Sequence, residues 1–89
     1  MEDTLNATAI SVLAKGLPER DLPPEAFDRL KKVFSSMGMD NIPPGFEKNT
    51  GRMADLAFAF QNHDHPGYRK IGDQIFSLVD DIVRGKYGN

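Results

Sequence analysis

The stretch Tyr68-Arg69-Lys70-Ile71-Gly72-Asp73-Gln74-Ile75-Phe76-Ser77-Leu78-Val79-Asp80-Asp81-Ile82-Val83-Arg84 decides the fold. At about 100° of rotation per residue, Ile71, Ile75, Phe76, Leu78, Val79, Ile82 and Val83 fall within one arc of about 160°. Arg69, Lys70, Asp73, Gln74, Ser77, Asp80, Asp81 and Arg84 occupy the remaining arc. Such a division describes a helix that buries a wide stripe and keeps its other face in water.

Working back from this helix, Asn62-His63-Asp64-His65-Pro66-Gly67 is a break, with Asp64 as the expected cap of the helix that follows. Before the break, a helix is predicted from Thr50 or Gly51 to Asn62, capped by Asn49 or Thr50. Its apolar residues Met53, Ala54, Leu56, Ala57, Phe58 and Phe60 span about 200°, the widest arc in the chain, which predicts the most central helix. Upstream lies an irregular stretch, Met39 to Lys48, containing Ile42-Pro43-Pro44-Gly45-Phe46. Its prolines and glycine argue for a bend, and Ile42 and Phe46 are expected to pin it to the core.

A second helix opens at Pro24-Glu25, where a missing N–H is harmless and a carboxylate meets the helix dipole favourably. Phe27, Leu30, Val33, Phe34 and Met37 share an arc of about 120° opposite Asp28, Lys31, Lys32 and Ser35, and Gly38 is placed to end it. The first helix is predicted from Thr4 to Ala14 with Asp3 as N-cap, Leu5, Ala9, Ile10, Val12, Leu13 and Leu17 on one side, and Gly16 in a left-handed C-terminal turn. A proline-stiffened joint, residues 17–24, follows it. No segment alternates as a strand does. The chain is therefore expected to be all-α: a small four-helix domain spanning residues 1–89, an orthogonal or up-down bundle with a proline-rich loop between helices 2 and 3.

Composition narrows the function classes. With 89 residues the chain supports one modest core, and its net charge of −2 lacks the basic excess of a dedicated nucleic-acid binder. Absence of cysteine rules out disulfides, thiolate zinc sites and cysteine nucleophiles within this chain. Met1-Glu2-Asp3 is acidic where a secretory signal is basic, and the run Leu56–Phe60 falls far short of the roughly 20 apolar residues of a membrane span. A cytoplasmic location without membrane contact is expected.

Few residues group into chemistry. His63 and His65 flank Asp64 and are the one place where metal ligands cluster, although adjacent residues converge on an ion only if the backbone turns sharply. Arg29, Lys31 and Lys32, with Lys48 and Arg52 nearby in sequence, form the alternative of a small phosphate-binding patch for nucleic acid. Asp73, Asp80 and Asp81 read as a solvated face, with Arg69–Asp73 and Asp80–Arg84 at i,i+4 spacing. No phosphate loop and no nucleophile–base pair is present, so neither a catalytic role nor a cofactor is expected.

What remains is contact. Gly72 lies inside the apolar arc of the last helix, where a missing side chain implies close approach by another backbone. Phe76, Val79 and Val83 lie to one flank of that arc and are assigned to a partner surface, with Phe46 as a second anchor. On this reading the protein is a non-catalytic regulatory or adaptor-type binder, inhibitor- or antitoxin-like, that contacts a protein partner or a second copy of itself. Val79→Asp is then expected to dissociate the assembly and leave helicity intact.

Overall fold

The computed structural model describes residues 7–87. They form four helices and no strand: α1 (Ala7–Lys15), α2 (Pro24–Ser36), α3 (Thr50–Gln61) and α4 (Pro66–Val83). The expected start of the first helix at Thr4, with Asp3 as its cap, lies outside the described residues. No helix among the described residues is long and apolar enough to cross a membrane.

Local chemistry sets most helix ends. The Asn49 side chain caps α3, its Oδ1 accepting the Arg52 N–H at 3.0 Å. α2 starts on Pro24 with Glu25 in its first turn, as the sequence predicts. Its far end is a Schellman turn: the Gly38 N–H donates to the Ser35 carbonyl at 2.9 Å, the Met39 N–H donates to the Phe34 carbonyl at 3.1 Å, and Gly38 adopts φ +80°. α4 ends in the same way at Gly85. Two expectations are corrected. The cap of α4 is His65, whose Nδ1 accepts the Gly67 N–H at 3.0 Å, and not Asp64. Gly16 ends α1 without entering the left-handed region, its N–H bonded back to the Val12 and Leu13 carbonyls.

α3 and α4 form an antiparallel hairpin, because Asn62 to His65 leave the chain only a tight turn in which to reverse. Glycine sets how closely they approach. A Cβ added at Gly72 would stand 2.6 Å from the Gln61 nitrogen and 2.7 Å from the Ala57 carbonyl oxygen. The backbone whose approach Gly72 permits therefore belongs to α3 of the same chain. α1 crosses α3 over a second glycine, with Lys15 Cα 3.1 Å from where a Gly51 Cβ would be.

α4 packs against each of the other helices, whereas α3 packs against α1 and α4. The third and fourth helices form the centre together, with α4 the more central of the two despite the wider apolar arc of α3. Leu56, Phe58 and Phe60 widen the α3 arc but are only half-buried, and its fully covered positions are Gly51, Met53, Ala54 and Ala57. Among the described residues α1 does not pack on α2, nor α2 on α3, so the chain does not follow a sequential up-down order. The core draws Ile10 and Ala14 from α1, Leu30, Val33 and Phe34 from α2, Met53, Ala54 and Ala57 from α3, and Ile75, Leu78, Val79 and Ile82 from α4.

The proline loop is pinned as predicted. Phe46 lies 6.1 Å from the Phe34 ring, the Arg52 guanidinium covers its face at 5.2 Å, and Ile42 packs against the core. The joint before α2 is zipped to the loop by the Arg20 and Leu22 N–H groups, which donate to the Lys48 and Glu47 carbonyls.

Candidate partner surface

The flank of α4 assigned to a partner is largely occupied by the chain itself. Val79 is 0% exposed, a correction to its predicted role: it lies on the same side of α4 as Gly72, and the close approach of α3 seals that side. Phe76 is half-buried with its ring 5.5 Å from that of Phe58, and Val83 is half-buried against the core. Phe46 is held between Phe34 and Arg52, so its ring serves the loop.

The charged groups are also committed internally. Arg29 Nη1 donates to Asp81 Oδ2 and to the Tyr87 hydroxyl, each at 2.6 Å, and Nη2 reaches Ser77 at 3.1 Å. The hydrogen bond from Arg29 holds the Asp81 carboxyl below its ordinary range, with Lys86 reinforcing it against the opposing effect of burial. The same bond raises the Arg29 guanidinium further above its already high value. Arg29 is therefore a clamp between α2 and α4; it lines one groove with Lys32, Ser36 and Ser77, while Lys31 and Lys32 line another, so the three basic residues are not gathered at one site. Lys31 stands 5.5 Å over the Phe27 ring, and the groove lined by Lys31 and Lys32 also carries Asp28 and Asp40, carboxylates that repel an anion. On α4, Asp80 and Arg84 pair at 2.7 Å as expected. Arg69 does not pair with Asp73; it donates to the His63 and Asp64 carbonyls, while Asp73 accepts from Gln61.

His63 and His65 are structural at their Nδ1 atoms. His63 Nδ1 accepts the His65 N–H at 3.1 Å, and His65 Nδ1 accepts the Gly67 N–H at 3.0 Å. Both imidazoles rest on Tyr68, with ring centroids at 4.6 and 5.4 Å, and Tyr68 in turn stacks on Phe60 at 5.6 Å. Among the described residues no three His, Asp or Glu side chains are grouped to hold a metal ion. The turn is a ring cluster that fixes the entry of α4, beside an open groove of ≈ 540 Å³ lined by Met37, Tyr68 and Ile71.

Among the described residues the two most exposed large hydrophobes lie on α1, ahead of Tyr68 and Met39. Val12 is 65% exposed and Leu13 is 47% exposed, consecutive large hydrophobes on one short helix. Of the side predicted to face inward, Ile10 is buried and Leu17 packs against the core, but Val12 and Leu13 turn outward, and Ser11 and Ala14 are buried in their stead. On the wheel the buried arc is displaced from the centre of the apolar arc by about 130°. Close packing accompanies this orientation: the small residues Ser11 and Ala14 are on the buried side, and the end of α1 at Lys15 rests on Gly51. A signal was present in the sequence, because Ile10 and Val12 are about 160° apart on the wheel and one shallow contact cannot cover both.

The chain matches no protein-family model, no curated protein and no solved structure.

Proposed function

We propose that this protein is a small, non-catalytic regulatory or adaptor-type binder, acting in the cytoplasm through protein–protein contact. The observation that carries this reading is the exposed Val12–Leu13 pair on α1. Scattered exposed apolar residues are ordinary, but adjacent ones on a helix whose other side is fully packed form a patch suited to a partner. The surrounding polar chemistry supports contact over catalysis. Arg29, Asp81, Lys15 and Asp55 are tied into ion pairs between elements, and no buried side-chain polar atom among the described residues lacks a hydrogen bond.

The test is a photo-crosslinking side chain placed at Val12 in the native host, with Lys70 on the exposed face of α4 as control. A polypeptide captured at position 12 and not at position 70 is the expected outcome. Equal capture at both positions, or none at either, removes the basis for the reading.

A further inference from the structure

On α1 and its C-terminal turn, Ala9, Val12, Leu13 and Gly16 share an arc of about 100°, Ala9 half-buried and the other three exposed. Read along the helix, this face is small, large, large, small. It is palindromic about the midpoint between Val12 and Leu13. We propose that its occupant is a second copy of this chain, with the two α1 helices antiparallel across a two-fold axis through that midpoint; the inference rests on the contact reading above and names its partner.

Three observations select a second copy. An isologous contact must place each residue opposite its mirror position, and here Val12 meets Leu13 twice at the centre while Ala9 meets Gly16 at both ends. Small residues at the ends let the two backbones approach to about 8 Å, the tight limit of helix pairing. The face also carries no charge. Lys15, at its edge, is bound to Asp55 at 3.2 Å, so a second copy meets no unpaired like charge, and a strongly charged partner finds nothing to complement.

Gly16 supplies the third observation. Among the other described glycines the need is visible within the protomer: Gly38, Gly45 and Gly85 have positive φ, while Gly51, Gly67 and Gly72 lie against other groups of the chain. Gly16 has neither reason. Its backbone is not left-handed, and a Cβ there would touch only the carbonyls of its own helix, at 3.6 and 3.7 Å. Space left open at Gly16 is accounted for when another copy of α1 lies across it.

Sedimentation equilibrium on the full chain tests this, with circular dichroism as the check on folding. The wild type is expected to show a reversible monomer–dimer equilibrium. Leu13→Lys should raise the dimer dissociation constant by at least about tenfold with helicity unchanged. Gly16→Leu should raise it by a similar factor although it adds apolar surface, because the bulk blocks close approach. General stickiness predicts the reverse, so a tighter dimer in Gly16→Leu overturns the proposal. A wild type that stays monomeric at about 1 mM also overturns it. If that monomer crosslinks through Val12 to a different polypeptide, the contact reading survives and only the second copy is lost; if it crosslinks to nothing, both fall.

Discussion

Gly72 and Ala57 are in backbone contact across the α3–α4 hairpin, so close that an added Cβ at Gly72 would lie 2.7 Å from the Ala57 carbonyl oxygen. Two backbones cannot yield as a flexible side chain does. The space at this glycine is filled from within the chain, and the stripe beside it, Val79 included, is core.

Gly72→Ala should therefore destabilise the fold although alanine favours a helix by about 1 kcal/mol. Overpacking against a fixed carbonyl costs about 1–3 kcal/mol, and the helices must separate to relieve it. Chemical denaturation should show a lower midpoint than wild type. Gly16→Ala is the matched comparison: with only ordinary van der Waals contacts for the added Cβ and no left-handed backbone, it should leave monomer stability unchanged or slightly raised.

Arg29 adds a polar link to the apolar packing of α2, which among the helices packs only on α4. Asp81→Asn should cost about 1 kcal/mol, the modest figure reflecting partial exposure of both partners. Arg29→Lys should also destabilise, since a single ammonium cannot reach Asp81, Tyr87 and Ser77 together. Thermal melts of the single and double variants, combined as a cycle, measure the coupling.

The same pair gives the fold an acid limit. The Asp81 carboxyl is lowered in the folded chain relative to its ordinary value of 3.8. Stability from this group is therefore fully present above that ordinary value and is lost as pH falls through the lowered folded one. Denaturation midpoints measured downward from pH 5 should decline in wild type, and the decline should be shallower in Asp81→Asn. Parallel curves would remove Asp81 as a cause.

Asn49 ties two parts of the chain together. Its Oδ1 caps α3 at the Arg52 N–H, and its Nδ2 donates to Glu19 on the joint at 3.0 Å. Asn49→Ala should cost about 1 kcal/mol, whereas Asn49→Asp should keep the cap, lose the Glu19 bond and place two carboxylates together. Hydrogen exchange should show faster opening of the first turn of α3 in the alanine variant only.

Which parts of this were legible in sequence follows from where the causes lie. Helix class, the α2 start at Pro24, the Asn49 cap and the pinned Phe46 depend on neighbouring residues, so periodicity and capping rules reach them. The end of α1 rests on Gly51 in another helix, and the burial of Val79 depends on Ala57 and Gln61 accepting Gly72. Wheel patterns report how much apolar surface a helix has, not which part its neighbours reach. Arg29 shows the same limit. It sits on the polar side of α2 beside Lys31 and Lys32, and nothing local distinguishes it as the one that finds Asp81. The outward turn of Val12 and Leu13 has the same long-range origin.

Val79 and Leu13 separate the two surfaces by experiment. Val79 is fully enclosed, so Val79→Ala should cost about 2 kcal/mol, and Val79→Asp, which buries a carboxylate without a partner, more than about 4 kcal/mol. The aspartate variant should lose helicity together with any assembly, the opposite of what a surface position predicts. Leu13→Gln removes only a half-exposed side chain and should shift the monomer by less than about 1 kcal/mol. If Val79→Asp retained a wild-type circular dichroism spectrum and melt, α4 would not be packed as described, and the case for α1 as the free apolar face would fall with it.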